Sequence, residues 1–111
     1  MARSSSRPKR VDFPIKMGDT FRRLFTFRTT GDNPQNLDQT GATFKFIIDG
    51  EPDLTLGNGL EIVGDDNHQV LVSKDITWFG RKNYEFERVK DGITWTPFEG
   101  KIISDNELTE E

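Results

Sequence analysis

The stretch Asn83-Tyr84-Glu85-Phe86-Glu87-Arg88-Val89-Lys90-Asp91-Gly92-Ile93-Thr94-Trp95-Thr96-Pro97-Phe98 decides the fold. Residues 83–89 and 93–98 read as two strands. Between them Lys90-Asp91-Gly92 supplies an Asp-Gly turn, whose positive φ angles match the right-handed twist of paired strands. Lys101 to Ser104 reads as a closing strand.

Working back from this hairpin, Ala42 to Ile48 sets Phe44, Phe46 and Ile48 against Thr43, Lys45 and Ile47, the period of a half-buried strand. Asp49-Gly50 then signals a turn. Three short runs, Leu54–Leu56, Leu60–Val63 and Gln69–Val72, are parted by Gly57-Asn58-Gly59 and Gly64-Asp65-Asp66-Asn67, which suits a β-meander. Between Asp19 and Thr29, Phe21, Phe25 and Phe27 share a face, while Arg23 and Leu24 break the pattern and imply a bulge or a two-faced strand. Gly31 to Asn36 is a loop by its turn chemistry. Val11, Phe13 and Ile15 alternate with Asp12, Pro14 and Lys16. Pro14 lacks a ladder donor, so this run belongs on a sheet edge. Ser73 to Arg81 is irregular and is read as a single helical turn crossing between sheets.

Composition agrees with strands. Val, Ile, Thr, Phe, Tyr and Trp supply 36 of the 111 residues, against 11 from Ala, Leu and Met. β-Branched and aromatic side chains fit pleated surfaces better than helices. The expected fold is all-β: one small immunoglobulin-like antiparallel β-sandwich over residues 11–104, with polar arms. Residues 1–10 form a basic flexible arm carrying Arg3, Arg7, Lys9 and Arg10. Residues 105–111 form an acidic tail, so the two ends have opposite fields within a net charge of −4.

The chain has no cysteine and one histidine, His68. Thiolate metal sites and disulfides are thereby excluded. No Gly-x-Ser-x-Gly elbow accompanies His68, so no catalytic triad can be assembled around it, and no catalytic residue is named. Asp65, Asp66 and Asn67, with Asp49, Glu51 or Asp53, offer oxygen ligands, but their spacing is not that of an EF-hand, and turn chemistry accounts for them. Gly57-Asn58-Gly59 lacks the Gly-Lys-Ser/Thr of a phosphate loop. No metal and no cofactor is expected. The sequence contains neither an apolar run of membrane-spanning length nor an apolar leader segment within residues 1–10.

Several short motifs recur in one order: Gly18-Asp19-Thr20 before a Phe-rich strand, Asp38-Gln39-Thr40-Gly41-Ala42-Thr43 before the next, and Leu56-Gly57-Asn58-Gly59-Leu60 in mid-chain. Gly80 with Tyr84-Glu85-Phe86-Glu87, Asp91-Gly92 and Phe98-Glu99-Gly100-Lys101-Ile102 follow. In order and spacing the chain resembles the immunoglobulin-like N-terminal domain of phage baseplate upper proteins, a family that also includes small stand-alone phage structural proteins. The likeness runs from about Gly18 to Ile103. Gln39 departs from it, standing where the family usually has an apolar residue. Leu37, two positions earlier on the same strand face, is the expected replacement contact. No coiled-coil extension follows Glu111, so holding a fibre is not among the expected roles.

The resemblance implies a non-enzymatic virion structural protein, assembled in the host cytoplasm, that mediates subunit contacts in the tail, baseplate or neck. Its expected partners are other virion proteins and itself, as a ring oligomer. The candidate contact residues are Arg3, Arg7, Lys9 and Arg10 of the basic arm, suited to an acidic neighbour, and the large apolar Trp78, Phe79 and Trp95. The alternatives are a capsid-decorating protein, a carbohydrate-binding module using Trp78 or Trp95, and a nucleic-acid binder using the basic arm. Nucleic acid is disfavoured because the chain is acidic overall and the arm has no aromatic residue.

Overall fold

The computed structural model describes residues 8–29 and 31–104. These form nine strands: β1 (Lys9–Arg10), β2 (Phe13–Ile15), β3 (Thr20–Thr26), β4 (Thr43–Ile48), β5 (Leu54–Leu56), β6 (Gly59–Val63), β7 (Gln69–Asp75), β8 (Gly80–Lys90) and β9 (Ile93–Ser104). No helix occurs among the described residues, and none is long and apolar enough to cross a membrane. The strands join in one mixed sheet of order β1-β9-β8-β4-β5-β6-β7-β3, with β2 also on β9.

The β8–β9 hairpin forms where the sequence places it. Asp91 (φ 55°) and Gly92 (φ 77°) make a two-residue turn with both φ angles positive, and Lys90 faces Ile93. The closing strand is not separate, because β9 runs unbroken from Ile93 to Ser104. One irregularity interrupts this ladder: Phe86 faces Phe98, but Arg88 faces Trp95, so β9 carries an extra residue beside the donor-less Pro97. The bulge reverses the parity of β9 and turns Trp95, like Phe98, toward the inner face.

Four expectations need correction. The pairing is not wholly antiparallel: β1 and β2 run parallel to β9, at a constant offset from Lys9↔Phe98 to Ile15↔Ser104. Nor do β5, β6 and β7 form a simple meander. Positive-φ glycines at 57 and 59 let the chain step sideways without reversing, and β5 lies parallel to β6. The Ser73–Arg81 segment contains no helical turn; β7 continues through Asp75, and residues 76–79 are irregular. Finally, of the two readings of β3 the bulge falls and the two-faced strand stands: β3 pairs evenly with β7 from Thr20↔Asp75 to Thr26↔Gln69, with Phe21 and Phe25 buried on one face and Leu24 exposed on the other. Arg23 lies on the same face as Phe21 and Phe25, at the rim of the core, with its guanidinium 5.4 Å from the ring centres of Phe13 and Phe21.

The sheet curls so that β3 packs over β4, β8 and β9. Phe25 makes edge-to-face contacts with Phe98 (4.8 Å), Phe86 (4.9 Å) and Phe46 (6.0 Å). Val70, Val72, Leu60, Ile48, Tyr84 and Ile102 complete the core. Phe13, from the edge strand β2, closes it against Phe21 at 5.1 Å. The parallel N-terminal strand depends on Gly100, because a Cβ there would overlap the Val11 carbonyl oxygen. That carbonyl accepts from the Tyr84 hydroxyl at 2.6 Å, and Asp12 Oδ1 accepts from the Lys101 N–H at 2.9 Å.

Candidate functional site

The residues proposed from the sequence do not gather into one patch. Arg3 and Arg7 lie outside the described residues. Lys9 and Arg10, expected in the flexible arm, instead form β1 beside Phe98 and Glu99 of β9, and the Arg10 guanidinium approaches Asp12 at 3.4 Å. Trp78 is 9% exposed, with Lys82 Nζ 5.5 Å from its ring centre, whereas its neighbour Phe79 is 65% exposed. Trp95 is half-buried against the core. It faces Arg88, while Gly80, two residues after Trp78, faces Ser104. These two positions are roughly 26 Å apart along the hairpin at about 3.3 Å per residue. Trp78 and Trp95 therefore cannot grip one ligand.

Around Trp95 a polar plug fills one end of the core, and sequence reasoning noted only its central residue. Gln39 is 0% exposed. Its Oε1 accepts from Arg88 Nε at 2.6 Å, and its Nε2 donates to the Leu37 carbonyl at 2.8 Å. Its own N–H donates to the Asn67 carbonyl at 2.8 Å, which ties the 36–41 loop to the 64–68 turn. Burial pushes the Arg88 guanidinium below its ordinary pKa, and Asp91 opposes that shift. Leu37 packs against the core as expected, but Gln39 did not leave the interior; it found an ionic partner there. His68, also buried, packs against Gly64, where a Cβ would come within 3.0 Å of its ring. At the rim, hydrogen bonds from Thr40, the hydroxyl first and the backbone N–H second, hold the Asp38 carboxyl below the usual carboxylate range.

Two of the carboxylates considered as calcium ligands are otherwise engaged. Asp66 accepts from Asn36 Nδ2 at 2.6 Å, and Glu51 pairs with Lys74 and Lys82 at 3.4 and 3.8 Å. No group of three His, Cys, Asp or Glu that could hold a metal occurs among the described residues.

The outer face of the sheet offers broader contact surfaces. On β3, Leu24 (53% exposed) lies beside Leu71 of β7, and Leu71 faces Glu61 of β6. A groove of about 540 Å³ has Leu56, Gly59, Leu71 and Ser73 in its wall. Leu56 also borders a second groove of about 350 Å³, over Thr43, Lys45, Glu87 and Val89. A third, more polar groove of about 350 Å³ brings Asp49, Glu85 and Glu99 near Arg10. Glu85 and Glu99 face each other across the ladder, an unfavourable like-charge pair that Arg10, facing Glu99, offsets. Leu24 escaped sequence reasoning because it looked like a fault in an inward pattern; its parity with Arg22 and Thr26 was the available signal.

No protein-family model, no curated protein and no solved structure matches this chain.

Proposed function

We propose that the protein is a non-enzymatic, immunoglobulin-like binding module that holds subunits together in the tail, baseplate or neck of a phage virion. The observation that carries the reading is the strand order. Dividing the sheet at the short parallel β5–β6 contact leaves one layer of order β1/β2-β9-β8-β4-β5 and another of order β6-β7-β3, facing each other through aromatic residues. A three-strand layer of this kind packed on a layer built around a central hairpin is the plan of immunoglobulin-like sandwiches.

The family-like motifs lie at structural pivots, which supports the resemblance. Gly18-Asp19-Thr20 opens β3, residues 38–43 lead into β4, residues 56–60 make the β5–β6 step, and Asp91-Gly92 turns the hairpin. The outer grooves and the apolar Leu24–Leu71 pair give such a module surface to offer neighbouring subunits. Lys9 and Arg10 are exposed on β1 and can meet an acidic neighbour there, and the basic segment preceding them is the other candidate contact.

Deletion of residues 1–8 tests the role of that segment. Incorporation into particles should fall while the melting temperature stays within about 2 °C, because the sheet from Lys9 onward is retained. Unchanged incorporation overturns the role of the arm.

A further inference from the structure

We propose that the outer edge of β3 is a self-pairing surface, on which a second copy of this chain adds its own β3 antiparallel about a two-fold axis at Leu24. The proposal stands apart from the virion reading, since it concerns the isolated protein.

The geometry begins with Phe27, whose N–H donates to the His68 carbonyl at 2.8 Å, next to the facing pair Thr26↔Gln69. That pair is therefore of the non-hydrogen-bonded kind, and β3 turns the backbone groups of its odd-numbered residues toward β7. Arg22, Leu24 and Thr26 aim theirs away from the sheet. The 35–37 segment does not cover them, because it bonds Phe27 and Thr29 on the β7 side. Among the described residues, β3 pairs only with β7, and the one hydrogen bond on its outer edge is from Arg23 Nη1 to the Arg22 carbonyl, at 2.9 Å. That side chain is exposed and can swing aside. An open edge of this length is a template for another strand.

Apolar matching selects the occupant and charge the register. Residues 3–10 of the chain's own basic arm have no apolar side chain except Pro8 to set against the exposed Leu24, whereas a second β3 brings Leu24 itself. A dyad at Arg23 sets that residue opposite the partner's Arg23, and a dyad at Phe25 sets Arg22 opposite the partner's Arg28. With the dyad at Leu24 no arginines oppose. Arg22 then exchanges backbone bonds with the partner's Thr26, Leu24 with the partner's Leu24, and Thr26 with the partner's Arg22. On the outer face the two leucines meet, and Leu71 of each copy extends the apolar row. The partner's Arg28 comes beside Thr20, whose hydroxyl donates to Asp75 Oδ1 at 2.9 Å. This places an arginine next to an aspartate at both ends of the strand pair.

Sedimentation velocity of the full chain, from micromolar to millimolar loading, reads the association. The expected result is a concentration-dependent dimer whose affinity falls roughly tenfold or more in Leu24→Lys, where two ammonium groups oppose each other at the dyad. Far-UV circular dichroism should not change, because Leu24 is exposed. Leu24→Cys, which would be the chain's only cysteine, should link to its copy on oxidation, since facing Cα atoms about 5.5 Å apart lie in disulfide range. A Thr43→Cys control should not. A chain that stays monomeric at millimolar concentration overturns the proposal. So does a dimer that is indifferent to Leu24→Lys. Particle incorporation of Leu24→Lys separates the two readings: loss of the dimer with normal incorporation leaves the virion role standing.

Discussion

Replacing Gln39 by leucine roughly keeps the side-chain volume and removes both of its side-chain hydrogen bonds. The Leu37 carbonyl loses a 2.8 Å donor, and Arg88 Nε loses a 2.6 Å acceptor at the end of the core. A bond to a charged group contributes about 1.5–3 kcal/mol, and a neutral one about 1 kcal/mol. Arg88 is only partly buried and regains some water when released, and leucine adds apolar burial. The net expected loss is about 2–3 kcal/mol, which lowers Tm by roughly 10–15 °C for a domain of this size. The double variant Gln39→Leu, Arg88→Leu should recover most of that loss, because removing both partners leaves no stranded charge. Urea unfolding followed by circular dichroism measures all three chains. If Gln39→Leu costs under about 0.5 kcal/mol, or the double variant is no better than the single one, the plug is not held by this pair and the reasoning fails.

Three further outcomes follow from the geometry. Gly100→Ala should detach the N-terminal strand, since the new methyl group meets the Val11 carbonyl; faster amide exchange in residues 9–15, with the β8–β9 hairpin still protected, would register it. Tyr84→Phe should cost about 1–2 kcal/mol at neutral pH for the lost bond to Val11, and it should also alter the alkaline limb. Burial first, and then Asp12, raise the Tyr84 hydroxyl above its ordinary 10.0, so its contribution is complete below about pH 10 and lost as the pH climbs toward the folded value. Stability against pH above 10 should therefore fall less steeply in the phenylalanine variant. Gly92→Ala forces a side chain into the left-handed region at φ 77° and should cost about 1–2 kcal/mol by urea titration.

Much of the sheet was legible because one buried face imposes a period of two. Phe44, Phe46 and Ile48, and the Asp91-Gly92 turn, are local signals that tertiary packing did not override. What escaped depends on distant partners. The parallel docking of residues 9–15 on β9 needs Gly100 far along the chain, and neither segment announces the other. The bulge at Pro97 reverses the parity of β9, so the inward turn of Trp95 could not be counted from Phe98. Gln39 read as a misplaced polar residue because Arg88, its partner, lies on another strand. Arg23 read as a broken pattern because stacking at the core rim, on Phe13 and Phe21, looks in the sequence like a charge on a buried face. The candidate contact residues were less legible than the fold, since a tryptophan's exposure depends on what covers it. Trp78 is covered, Phe79 is not, and the apolar surface beside β3 comes from leucines.

The proposed virion role is tested most directly in two steps: whether the gene lies in a phage genome, and whether quantitative mass spectrometry finds the protein in purified particles of that phage. The account predicts the protein at a fixed, integral copy number that stays with the tail fraction when heads and tails are separated. Its absence from intact particles, or its removal by a salt wash without a stoichiometric remainder, would contradict a role in holding the virion together.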